Sequence, residues 1–150
     1  MRKIRRRALC LILLSAMLLL TACAPRTEAP APEVPAQSGL QVLVDGTAVP
    51  AGTKKAAADV AQVWFTLDGS LLLTLPFAEA HAVTVLQEDG SENTIRMTGA
   101  AVYMEKVNCP HEDCVQMGEI TLENLEYRPL GGFLVCLPHR LVVEVREHAD

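Results

Sequence analysis

The chain has few aromatic residues: one Trp, two Tyr and three Phe in 150 residues. A core built from it must therefore rest mainly on Val and Leu rather than on stacked rings. Positive charge is also scarce outside one short stretch. Arg2, Lys3, Arg5, Arg6 and Arg7 all fall in the first 22 residues, where no acid occurs, which leaves 8 Lys plus Arg against 18 Asp plus Glu, net −10, for the remainder. Phosphate contacts need clustered Lys and Arg, so this balance argues against nucleic acid as a partner. No Gly-rich phosphate loop, G-x-S-x-G elbow or H-E-x-x-H pair occurs. Nucleotide binding and the common hydrolase chemistries thus lose their usual sequence support, and no catalytic residue is assigned.

A membrane-spanning run is missing as well. Ala8 to Ala22 is apolar apart from Ser15 and Thr21 and covers 15 residues, roughly 22 Å of helix against a hydrocarbon core of about 30 Å. Preceded by the cationic stretch 2–7, it has the build of a secretory signal peptide. Its end, Leu20-Thr21-Ala22-Cys23, resembles the lipobox of bacterial lipoproteins. That resemblance implies cleavage before Cys23, lipidation of Cys23, and a protein held at the extracytoplasmic face of the cell membrane. Two or more acyl chains hold a protein there stably where one does not. Cys10, inside the apolar run, is an apolar filler removed with the peptide. Residues 24–38 hold four prolines and four alanines and read as an extended linker, about 3.1 Å per residue. Three pieces are expected: a signal peptide over 1–22, the lipidated Cys and linker over 23–38, and a folded domain over 39–150.

The folded part shows short β runs separated by turns. The runs are 40–44, 63–67, 71–75, 81–86, 94–97, 101–107, 133–137 and 141–145, with Asp-Gly pairs at 45–46, 68–69 and 89–90. Asp-Gly between apolar runs is a hairpin signal, because both residues tolerate the positive φ of tight primed turns. In the last run Leu141, Val143 and Val145 alternate with Val142, Glu144 and Arg146, the pattern of a half-buried strand. A short helix competes with extended chain over 53–63, where three alanines are consecutive. The fold class is all-β, a small antiparallel β-sandwich or barrel.

Chemistry-bearing residues concentrate in the last third: Cys109-Pro-His111-Glu-Asp-Cys114-Val-Gln-Met-Gly118-Glu-Ile120, then Cys136-Leu-Pro138-His139-Arg140-Leu-Val-Val-Glu-Val145. The pattern C-P-x-x-x-C-V-x-x-G-x-I, followed by C-L-P-x-R-L-V-V-E-V, resembles the family built on domain II of the transcription factor NusG, found also as stand-alone bacterial lipoproteins. Val63-x-x-x-Leu67-Asp-Gly69 through Leu75-Pro76 and Gly90-x-x-Asn93-x-Ile95 fit the same strand and turn order, so the resemblance covers about residues 61–146. It implies an all-β domain. It does not carry transcription with it, since the other NusG domains are missing.

Three readings of the cysteines stand side by side. Outside the cytoplasm, two of Cys109, Cys114 and Cys136 form a disulfide, for about 2 to 4 kcal/mol of stabilisation, and one thiol is left over. Alternatively, Cys109-x-His111 and Cys136-x-x-His139, with 24 residues between the boxes, reproduce the ligand spacing of Rieske 2Fe-2S proteins, two thiolates on one iron and two imidazoles on the other. Pro138 stands where that family has its second disulfide cysteine. The third reading is zinc held by Cys109, Cys114, Cys136 and His139. His81 and His148 read as solvated or core-edge residues. The reading adopted is a lipid-anchored surface lipoprotein, without cofactor, whose disulfide-stabilised β domain is a binding or accessory module for another envelope protein. The alternative is an extracytoplasmic redox module using an iron–sulfur site or a dithiol/disulfide couple.

Overall fold

Asp45 (φ 51°) and Gly46 (φ 78°), and again Asp68 (φ 50°) and Gly69 (φ 76°), both adopt the left-handed conformation that a two-residue primed hairpin requires. In the computed structural model, which describes residues 39–57 and 59–147, these two turns close the hairpins β1(Gln41–Val44)–β2(Thr47–Val49) and β4(Gln62–Leu67)–β5(Ser70–Pro76). The third Asp-Gly pair works differently. Only Gly90 is left-handed there, and Gln87 and Ser91 close a wider turn in which Asp89 Oδ1 accepts the Ser91 N–H at 2.9 Å. That turn joins β6(Ala80–Leu86) to β7(Glu92–Thr98), and β8(Val102–Val107) follows. The chain ends in β9(Phe133–Cys136) and β10(Leu141–Arg146).

Two five-stranded sheets result, ordered β2-β1-β6-β7-β8 and β3-β5-β4-β10-β9, where β3 is Thr53–Lys54. Pairing is antiparallel except between β3 and β5. The sheets are open, so the fold is a sandwich and not a closed barrel. Alternation gives each strand one inward face: Val42 and Val44, Val83 and Val85, and Ile95 and Met97 from one sheet meet Val63 and Phe65, Leu134 and Cys136, and Leu141, Val143 and Val145 from the other in one core. Each such side chain contributes about 1.5 to 3 kcal/mol of burial. Bulges interrupt this alternation at Phe65/Thr66 and at Thr94/Ile95. The first lets Leu72 and Leu73, neighbours in sequence, both face inward. The aromatic content is as thinly spent as the composition requires: Phe65 and Phe77 are the aromatic residues in the core.

Of the two alternatives over 53–63, the described residues take the one without a helix. They include β3 and the start of β4. Thr53 and Lys54 add in parallel to Leu73 and Thr74 of β5, so the open edge of β5 draws the start of this region into a sheet. β2 and β3 are also shorter than periodicity can detect. The signal peptide, Cys10, Cys23, the linker and His148 all lie outside the described residues.

Candidate functional site

Cys109 follows edge strand β8, and Cys136 ends edge strand β9. The segment between them, 108–132, is built from turns and carries Cys114. Asn108 pins its start: its Oδ1 accepts the Glu92 N–H at 2.8 Å, and its amide donates to the Gly90 carbonyl at 2.8 Å. A turn through Glu112, left-handed at φ 51°, then reverses the chain, with Val115 N–H bonded to the Glu112 carbonyl at 2.9 Å. Met117 ties the segment to β9, where its sulfur accepts the Val135 N–H at 3.4 Å. Ile120 returns beside β8 and bridges to Val102 through N–H to carbonyl bonds of 2.8 and 2.9 Å. Asn124 and Arg128 fold the remainder back on itself by bonding the Glu119 carbonyl.

This path brings the three cysteines together. The Sγ atoms of Cys109, Cys114 and Cys136 all lie within 4.8 Å of one another, and those of Cys109 and Cys114 are 3.8 Å apart. All three are buried free thiols, with Cys136 fully enclosed. Burial, and then the neighbouring Cys136 and Cys109 sulfurs, push the Cys114 thiol up to about 12. A cavity of about 220 Å³ adjoins the sulfurs. Exposed His111, Asp113, Leu137 and Pro138 line it together with the cysteines, so it opens to solvent.

The two histidines go to different places. His111 is exposed at the cavity. His139, in the β9–β10 turn, is buried, and its Nδ1–H donates to Asn93 Oδ1 of β7 at 2.8 Å, across the sandwich. Gln87 then donates to the His139 carbonyl at 2.8 Å. Among the described residues no His, Asp or Glu joins the three sulfurs at their mutual spacing. His81 is partly buried near the start of β6, between Asp45 (2.7 Å) and Glu79 (3.0 Å).

Sequence reasoning missed Asn93, Asn108, Gln87 and Met117 as positioning residues. Asn93 had a signal, since it occupies an inward position in register with Ile95 and Met97. A buried amide there needs a polar partner from elsewhere in the chain.

Chemically, the cluster can close a disulfide, exchange a disulfide onto the third sulfur, or bind a thiophilic cation. A disulfide between Cys109 and Cys114 requires their sulfurs to close from 3.8 Å to about 2.0 Å.

Comparison with known proteins places the fold. A DUF1312 family protein from Enterococcus faecalis is 21% identical, with a TM-score of 0.51 over 61% of this chain and 100% of its own. The Lin0431 protein of Listeria innocua is 21% identical over 59% of this chain and 98% of its own, TM-score 0.49. A DUF1312 family protein from Ruminococcus gnavus is 28% identical over 57% of this chain and 97% of its own, TM-score 0.44. No curated protein matches. The model of the family described as NusG domain II matches residues 9–149, nearly the whole chain, and the protein belongs to that family.

Proposed function

We propose that the chain is an extracytoplasmic lipoprotein, anchored through Cys23 and carried on the linker 24–38, whose β domain is a non-catalytic accessory module with a thiol centre. The observation that carries the reading is the convergence of Cys109, Cys114 and Cys136 on a segment that Asn108 and Met117 hold in place. In an oxidising compartment the Cys109–Cys114 pair, the two sulfurs 3.8 Å apart, closes a disulfide, and Cys136 stays reduced.

Magnitudes decide what that bond is for. Loop-closure entropy gives about 2 kcal/mol for a loop of about six residues, such as Cys109 to Cys114, and about 3.5 kcal/mol for about 28 residues, such as Cys109 to Cys136. The nearer pair is thus the weaker staple. With the third sulfur inside 4.8 Å, attack by the Cys136 thiolate on Cys114 would transfer the disulfide and release Cys109 as thiolate, with no net electrons exchanged. This favours a dithiol/disulfide couple as the second reading, with a partner's disulfide or dithiol as the electron acceptor or donor.

Membranes of the native host test the anchor. The N-terminal peptide is expected to begin at Cys23 bearing diacylglycerol, and Cys23→Ala to release the protein from the detergent phase. An unmodified peptide beginning at Met1 contradicts the reading.

A further inference from the structure

We propose that the reduced cluster is a binding site for a thiophilic d10 cation, Zn(II) or Cu(I), held by the Sγ atoms of Cys109, Cys114 and Cys136 with one coordination position open toward the cavity. The proposal rests on the thiol-centre reading above, in its reduced state.

Spacing is the first argument. A cation about 2.3 Å from each of three thiolates sets the sulfurs about 3.8 to 4.0 Å apart, for tetrahedral or trigonal geometry respectively. Cys109 and Cys114 stand at 3.8 Å, and no pair in the group exceeds 4.8 Å. Little movement is needed to bind.

Donor chemistry is the second. Three sulfurs with no carboxylate or imidazole at the same spacing, among the described residues, select soft metals over Mg(II), Ca(II) or Mn(II). The open position is the third. His139, which sequence spacing suggested as a fourth zinc ligand, brings neither ring nitrogen within 4.8 Å of all three sulfurs, and the cavity of about 220 Å³ lies against the cysteines instead. Three protein ligands with a fourth position left to water or an exogenous ligand is the arrangement of open zinc sites. Two ligands sit on a segment fastened at Asn108 and Met117 and the third on a strand, so the set is ordered before the ion arrives. Binding displaces thiol protons to solvent, up to three per ion, and requires no oxidant or reductant.

The full chain, solubilised in detergent and kept anaerobic with a non-thiol reductant, is titrated separately with Zn(II) and with Cu(I) against a chromophoric chelator. One ion per chain is expected, with protons released and all three cysteines protected from alkylation. Cys136→Ser should weaken binding by about 100-fold or more, beyond what loss of an outer-shell partner costs. Because Cys136 is a core residue, Cys114→Ser serves as a second variant, and circular dichroism reports whether each is folded. The two titrations decide which ion is preferred. No binding of either ion by folded wild-type protein in which three free thiols are counted overturns the metal site and leaves the thiol centre standing. Binding unchanged in both folded variants also overturns it. Fewer than three reducible thiols in wild-type protein would instead overturn the thiol-centre reading itself.

Discussion

His139 donates its Nδ1–H to Asn93 Oδ1 at 2.8 Å, joining the β9–β10 turn of one sheet to β7 of the other. Both residues are buried, and Asn93 is fully enclosed. The amide's other end donates weakly to the Met104 sulfur at 3.7 Å, so His139 is its principal partner. His139→Ala should therefore destabilise the domain by about 1 to 3 kcal/mol, the cost of an enclosed polar group left unpaired. Asn93→Ala should cost a similar amount. In a double-mutant cycle by urea denaturation, the pair should cost clearly less than the sum of the single changes; additive costs would mean that the bond contributes nothing.

The β9–β10 hairpin also depends on Gly132. A Cβ there would stand 2.5 Å from the Val145 carbonyl oxygen, a backbone atom that also belongs to the strand Gly132 pairs with through the Val145 N–H. Gly132→Ala should thus push β9 from β10 at a cost of about 1 to 3 kcal/mol. Because Cys136 sits on β9, alkylation of Cys136 in the native state should accelerate in the same variant, a readout that a purely distant stability loss would not localise.

His81 carries a pH dependence. Burial opposes its charged form, but the hydrogen bonds it donates to Asp45 and Glu79 outweigh burial and raise its pKa above 6.5. A raised folded value means that the stabilisation is complete below the unfolded pKa and is lost as pH rises through the folded one. The denaturation midpoint should fall on going from about pH 5.5 to about pH 8, and His81→Gln should flatten that slope. Asp45 acts in the opposite direction: the Ala82 N–H, and then His81, lower its pKa below 3.8, so its contribution is present above that value and is lost in acid. A His81→Gln profile identical to wild type between the two pH values would refute the assignment.

Cys114 should be slow to alkylate. Burial and the adjacent Cys136 sulfur push its thiol up to about 12, which leaves little thiolate, the reactive form, near neutral pH. Native reduced protein treated with iodoacetamide at about pH 8 should label Cys114 far more slowly than urea-unfolded protein does, whose thiols titrate near about 8.5. The raised value also means stability falls as the pH rises above the unfolded thiol's range.

Much of this architecture was legible in the residues. All eight expected β runs are strands, because alternation in runs such as 141–146 and Asp-Gly turns at 45–46 and 68–69 are local signals that packing reinforces. The described part of 53–63 was ambiguous because Thr53 and Lys54 become a strand only through an edge far away in sequence, at Leu73 and Thr74. The site divides in the same way. The cysteine spacing marked Cys109, Cys114 and Cys136 as one set, but spacing alone drew His111 and His139 equally toward them. Which way His139 faces depends on Asn93, 46 positions earlier, and only the stacking of the two sheets brings that pair together.

The central claim, that the three cysteines act as a single thiol centre, is tested most directly by mapping their oxidation state in protein taken from the host envelope and acid-quenched. Differential alkylation and peptide mass spectrometry should find Cys109 linked to Cys114 with Cys136 free, and three free thiols after reduction of protein that remains folded. Three free thiols before reduction in metal-free envelope protein, or a cysteine of this set linked to a different chain throughout the population, would contradict it.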